Sequence, residues 1–177
     1  TVPERAPVNL HDVLDRARRS ALLGFGAQMT IVEDYDPSLP LAWGDKDQLL
    51  QVVLNLIKNA SEAAGGEGGT IRLHSYYEHS FRLRRADGQG VALPLQIEVI
   101  DDGPGLPDSI AGDVFDPFVS GRENGTGLGL ALVSKIISEH DGWISVASTP
   151  GHTAFRISLP RADAKVDRRA TPEEESK

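Results

Sequence analysis

Gly125-Thr126-Gly127-Leu128-Gly129-Leu130 is a glycine-rich loop running into an apolar stretch, and it matches neither of the common nucleotide-binding patterns. Its glycines alternate, so the G-x-G-x-x-G spacing of a Rossmann turn is absent, and no Gly-Lys-Ser/Thr follows to make a Walker loop. Both of those folds are disfavoured. Glycine-rich backbone at a helix start can still present N–H groups to phosphate oxygens, with the helix dipole adding to the attraction. Close packing of the helix is the competing use of the same glycines.

Working upstream, Asp101-Asp102-Gly103-Pro104-Gly105 closes an apolar strand, Leu95 to Ile100. Such residues commonly build a turn. A carboxylate at a strand terminus can also accept a hydrogen bond from the exocyclic amine of adenine, and a glycine behind it lets backbone approach a flat base. Further back, Asn55-Leu56-Ile57-Lys58-Asn59 puts two asparagines four residues apart, hence on one helix face, among Leu54, Leu56, Ile57 and Ala60. Neighbouring carbonyls could satisfy the pair. In company with the other two motifs, Asn59 is a neutral oxygen ligand for Mg²⁺, with phosphates and waters completing the octahedron. Lys58 and the loop residue Arg122 can each reach a phosphate or stand solvated. Taken in order, the motifs supply the parts of a Mg-ATP pocket.

Phe115, Pro117 and Phe118 stand in the middle of a stretch from Pro104 to Thr126 that is otherwise rich in Gly, Pro and Asp. Either they anchor it to the core or they make it a lid that docks in one state and detaches in another. His11, His74, His79, His140 and His152 lack the acidic residue and later proline expected around a phosphoacceptor, and no HExxH pattern occurs.

The rest of the chain reads as one α/β domain. Its 177 residues, 40% hydrophobic, can bury one good-sized core. Asn9 is an N-cap for a helix from His11 to Leu23, striped by Val13, Leu14, Ala17, Ala21 and Leu22. Val8-Asn9-Leu10 is a short strand before it. Met29 to Tyr35 alternates as a strand, and a second helix, apolar around most of its circumference, runs from Asp45 to Ala64. Thr70 to Arg85 and Leu93 to Ile100 form a long hairpin around Asp87-Gly88, with Pro94 at a strand start or edge. A third helix, Leu128 to His140, is ended by Gly142, and Trp143 to Ser148 pairs with Thr153 to Leu159 around Pro150-Gly151. The expected result is a two-layer α/β sandwich with helices on one face of a largely antiparallel sheet. Residues 1–7 and 161–177 read as solvated extensions, the second a flexible charged tail, leaving 8–160 as the domain.

A formal charge of −8 argues against nucleic acid as the main partner, and the basic run Arg82, Arg84, Arg85 is too short to reverse that. No window is long and apolar enough to span a bilayer, and the start lacks a signal-peptide pattern. Cysteine is absent, which excludes disulfides and thiolate metal sites and fits a cytoplasmic location. Asn59-Ala60-Ser61 and Asn124-Gly125-Thr126 match the N-glycosylation pattern, but a glycan at either would block the pocket.

In this order, Asn55 to Asn59, Asp101 to Gly105, Phe115 to Phe118 and Gly125 to Gly129 resemble the N, G1, F and G2 boxes of the catalytic ATP-binding domain of sensor histidine kinases. The resemblance covers Val8 to Pro160. Within that family, Asp34 to Pro40, Val119 to Glu123 and Pro150 to Thr153 are most similar to the cytoplasmic nitrogen-regulation kinases. The resemblance implies the Bergerat (GHKL) ATP-binding fold, with Asp101 on adenine, Gly103, Gly105 and Phe118 around the nucleotide, and Asn59 on Mg²⁺. It also implies Lys58, Arg122, Gly125, Thr126, Gly127, Leu128 and Gly129 about the phosphates, and Gly103 to Gly125 as an ATP lid. Some relatives place an acidic residue where this chain has Asn55, which leaves that position as base or second ligand. The γ-phosphoryl would go to a histidine on a separate dimerising helical domain, then to an NtrC-type response regulator, with a PII-type signal protein as a candidate input. The phosphoacceptor domain is not in this sequence, so the chain is expected to act as a monomeric catalytic piece of a homodimeric kinase. Rival readings are another ATPase or serine kinase of the same superfamily, or a non-catalytic nucleotide-binding regulatory module.

Overall fold

Among the described residues, three helices cover one face of a five-stranded mixed sheet. The structure, a computed structural model, describes residues 2–64, 68–84, 87–105 and 128–164, with the side chains of Leu128 and Gly129 excepted. In chain order the elements are β1 (Ala6–Val8), α1 (Leu10–Leu22), β2 (Thr30–Asp34), β3 (Ala42–Gly44), α2 (Lys46–Ala63), β4 (Thr70–Tyr77), β5 (Arg82–Arg84), β6 (Gly90–Ala92), β7 (Leu95–Asp101), α3 (Leu128–Glu139), β8 (Trp143–Thr149) and β9 (His152–Leu159). The main sheet has the order β2-β4-β7-β9-β8. Its β2–β4 pairing is parallel and the others are antiparallel.

Strand alternation places Ile71 and Leu73 of β4, Leu95, Ile97 and Val99 of β7, and Phe155, Ile157 and Leu159 of β9 on the helix-covered face, all buried. Against them α2 lays Leu49, Val52, Val53, Leu56, Ile57 and Ala60, and it packs on both α1 and α3. Burying each Leu, Ile or Val of this set contributes about 1.5–3 kcal/mol, so α2 owes its stability mainly to this contact. Both long helices start on the residue types expected to cap them. Asn9 Oδ1 accepts from the His11 N–H at 3.0 Å, and Asp45 accepts from the N–H groups of Asp47 and Gln48.

Four details differ from the sequence reading. The first strand is Ala6–Val8, since Leu10 already opens α1, and it pairs with β3, a three-residue element too short to show a period. The long hairpin is two pairings, β4 with β7 and β5 with β6. Pro94 has no N–H to continue the ladder, although its carbonyl still accepts from the Glu78 N–H at 2.8 Å. Asp141 rather than Gly142 takes the left-handed conformation that ends α3, with φ 57°. Gly142 is needed for space instead, because a Cβ there would stand 2.8 Å from the Ser158 carbonyl oxygen. The first residues assigned to the charged tail dock on the domain. Ala162 is buried and its N–H donates to the Leu41 carbonyl at 2.9 Å, while Arg161 donates to the Tyr77 hydroxyl at 3.2 Å.

Candidate functional site

Asp101 is the last residue of β7 and continues the row Leu95, Ile97, Val99 on the helix-covered face. Its neighbours in the sheet are Ile71 of β4 and Thr153 of β9. Strands on both sides and α2 above leave it 5% exposed. Its Oδ1 accepts from the Gly103 N–H at 3.0 Å, so the carboxylate is held by the turn that follows it. A carboxylate offers about four acceptor positions, which leaves capacity for a ligand donor in addition to this bond.

The glycines of the turn are there for close approach. A Cβ on Gly103 would lie 3.0 Å from Asp101 Oδ1 and 3.3 Å from the Ala63 Cβ. Gly105 has φ 89°, and a Cβ there would meet Ser148 Oγ at 3.0 Å and the Thr149 carbonyl oxygen at 3.1 Å. Any side chain at either position would push the turn away from α2 or from the β8–β9 end. The Gly103 carbonyl accepts from the Gly151 N–H at 2.9 Å, which fixes the turn on that side. Asp102 points elsewhere: it is exposed and accepts from the Thr70 N–H.

On α2, Asn55 and Asn59 are half-buried and share a face, while Lys58 is exposed. Ala63 continues that face by one turn, and it is Ala63 that approaches Gly103. Asn59 therefore stands about 6 Å along the helix from the contact with the β7 turn. The fold thus brings together two of the three motifs, separated by some forty residues of sequence, through the close packing of a helix end on a strand end. Leu128 and Gly129 belong to the first turn of α3, α3 packs on α2, and its Leu130, Val133 and Ile137 are buried in the core. Phe118, Arg122, Gly125, Thr126 and Gly127 lie outside the described residues, as does most of the stretch expected to form a lid. Among the described residues no three His, Asp or Glu side chains stand together as a metal cage. A cation that keeps its waters and takes phosphate oxygens, as Mg²⁺ does, needs no such cage.

One residue has a role that its sequence context does not suggest. His140 is fully buried; its Nδ1 is 2.8 Å from the Ile136 carbonyl oxygen, and its Nε2 is 2.9 Å from the backbone nitrogen of Asp45. Burial lowers its pKa, against smaller raising effects of the Ile136 carbonyl and Asp45. The available signal was its place four residues after Ile136, on the apolar face of α3.

Residues 44–163 match the family described as histidine kinase-, DNA gyrase B-, and HSP90-like ATPase. Over 160 residues, 90% of this chain and 45% of the relative, the sequence is 73% identical to the sensory histidine kinase/phosphatase NtrB of Rhodobacter capsulatus. It is 47% identical over 161 residues to the NtrB of Azospirillum brasilense, covering 90% of this chain and 40% of that one. The chain spans less than half the length of these curated relatives. Among solved structures, the mycobacterial sensor histidine kinase MprB superposes with a TM-score of 0.70 at 25% identity, covering 88% of this chain and 97% of that one. The two-layer sandwich expected from the resemblance is therefore the fold observed, and the nucleotide that goes with it is ATP. With its N and G1 motifs packed together at the end of β7, this chain belongs to the histidine kinase-, DNA gyrase B- and HSP90-like ATPase family.

Proposed function

We propose that this chain binds Mg-ATP between the β7 turn and the last turns of α2, and transfers the γ-phosphoryl group to a histidine on a separate dimerising helical domain. The observation that carries this reading is Asp101, a buried carboxylate at a strand end, held by the Gly103 N–H and set beside the face of α2 that bears Asn59. In the proposed assignment Asp101 accepts from the adenine amine, and Gly103 and Gly105 admit the base. Asn59 gives an oxygen to Mg²⁺, which supplies charge neutralisation at the phosphates. The start of α3 and Gly125 to Gly129 donate backbone N–H groups to the phosphates, with Lys58 and Arg122 as their cations and Phe118 closing from the lid. Asn55 is assigned to the reacting end as a polar, neutral group. This division of labour is mainly positioning and charge stabilisation, which phosphoryl transfer requires, and it needs no nucleophile on this chain.

The similarity to NtrB sequences supports a place in nitrogen-regulation two-component signalling, in the cytoplasm. An NtrC-type response regulator would be the final acceptor, and a PII-type protein would be a regulator of the intact homodimeric kinase. Among the described residues no helix is long and apolar enough to cross a membrane. The direct test of the site is to titrate Mg-ATP into the wild type and Asp101→Ala. Loss of the charge-assisted hydrogen bond should weaken binding by about 1.5–3 kcal/mol, roughly ten- to a hundredfold. Unchanged affinity in a variant with an unaltered melting curve would dismiss the adenine assignment.

A further inference from the structure

The bond between His140 and Asp45 joins the end of α3 to the start of α2. The Ile136 carbonyl can only accept, so His140 Nδ1 carries the proton; the Asp45 N–H can only donate, so Nε2 is the bare acceptor. One neutral tautomer satisfies both. Asp45 is itself the N-cap of α2, its carboxylate accepting from the Asp47 and Gln48 N–H groups and, from the incoming chain, the Glu4 N–H at 2.9 Å. The ring also sits in a slot made for it. A Cβ on Gly44 would lie 3.1 Å from His140 Cδ2 and 2.8 Å from the Leu49 Cδ1. Arg5 pairs with Asp141 at 2.9 Å on the outer side of the same junction.

This junction lies at the opposite end of the two helices that carry the proposed phosphate site. From Asp45 to Asn59 is about 21 Å along α2, and from Leu128 to His140 about 18 Å along α3. The helices pack together, and the end of α3 is pinned at the start of α2. The start of α3 is thereby carried toward the part of α2 that bears Asn59. Resting on the proposed ATP site, we infer that His140 is a positioning residue for the triphosphate: its bridge to the Asp45 N–H sets the register of α3 along α2. That register brings the phosphate-binding backbone at the start of α3 and the Asn59 oxygen to one Mg-triphosphate group.

Two substitutions separate this role from simple support of α3. His140→Asn keeps a donor for the Ile136 carbonyl and loses the acceptor for Asp45, whereas His140→Gln does the reverse. Binding of adenosine, which has no phosphates, and of Mg-ATP is measured for each by calorimetry where circular dichroism matches the wild type. His140→Asn should weaken Mg-ATP roughly three- to tenfold, the worth of one net hydrogen bond, with adenosine unchanged. His140→Gln should hold Mg-ATP within about twofold of wild type. Should His140→Asn fail to fold, Gly44→Ala crowds the His140 ring, and the Leu49 methyl beside it, without changing His140 chemically, and the same selective loss is expected. Equal weakening by Asn and Gln, parallel loss of adenosine, or full Mg-ATP affinity in His140→Asn would overturn the inference. A wild type that binds adenosine but gains nothing from Mg-triphosphate would overturn the ATP reading itself, and this inference with it.

Discussion

The two ends of β7 bury polar side chains in different settings. Near its start, Gln96 is fully buried, donates to the Leu93 carbonyl at 2.7 Å and accepts from Ser158 Oγ at 2.7 Å. It ties the broken hairpin to β9, so its bonds serve the fold. At the far end Asp101 is nearly as buried, but it sits where the ladder stops, in a turn whose glycines let it pack closely on α2 and on the β8–β9 end. A buried polar group is expensive unless partnered. Both have protein partners, but the bond from the Gly103 N–H to Asp101 is made by the turn at the strand end, where the proposed ligand would add a further donor. Burial alone does not tell a fold residue from a ligand residue, and the proposed assignment of Asp101 rests on its position at the strand end.

Removing each group should therefore produce opposite responses. Gln96→Ala leaves Leu93 and Ser158 without their partner and opens a cavity, costing about 2–4 kcal/mol of stability. The melting midpoint should fall by roughly 5–15 °C while ATP affinity in the folded protein holds. Asp101→Ala should show the reverse, with a roughly ten- to a hundredfold loss of ATP affinity and little change in melting. If both variants lose stability and neither loses affinity, the two ends of β7 do the same job and the contrast fails.

Asn59→Ala sharpens the contrast within the site. It should remove the Mg²⁺-dependent part of ATP affinity, several-fold or about 1 kcal/mol, and leave binding in chelator almost unchanged. Equal losses with Mg²⁺ and with chelator would make Asn59 a structural residue like Gln96.

The smallest effect is on the pH dependence of stability. His140 has a pKa below the ordinary His value because burial opposes its charged form. The unfolded chain then binds more protons as the pH drops below about 6.5, so this contribution to stability is whole above that value and is lost toward the lowered folded pKa. His11, lowered by burial against Asp36, Asp12 and Glu33, adds in the same direction. For Asp45, burial raises the pKa but the N–H groups of Glu4, Gln48 and Asp47 pull it below the ordinary carboxylate value. Its contribution is present above that ordinary value and is lost as the pH falls through the folded pKa. Melting curves should show stability falling from pH 7 to 5, with a shallower slope in His140→Gln. An unchanged slope would place the proton uptake elsewhere.

The legibility of the fold and the site in the sequence divides along the same line, between local and long-range causes. The α2 helix, expected from Asp45 to Ala64 and running from Lys46 to Ala63, could be read, since so long an apolar stretch exceeds what a strand can hold. β3 could not, because three residues hold no period and its partner β1 lies far away in sequence. Asp101 and Asn59 were legible as residue types suited to a nucleotide and a cation. That Ala63 and Gly103 bring their elements into contact was not, because it depends on a Cβ that is absent. His140 lacks the sequence neighbours of a phosphoacceptor, and those neighbours are the only chemistry a linear motif can display. Its actual partner, the Asp45 N–H, is a backbone group 95 positions away that no side-chain motif announces.

The central claim, that this chain supplies ATP chemistry to a histidine it does not carry, is tested most directly by transfer in trans. The chain is incubated with γ-labelled Mg-ATP and a separately produced dimerising helical domain, and label is followed through acid treatment. The expected result is acid-labile phosphate on the supplied domain, none on this chain, and none on either when Asp101→Ala replaces the wild type at limiting ATP. Acid-stable label on this chain would point to a serine kinase instead, and tight ATP binding with no transfer at all would contradict the catalytic role.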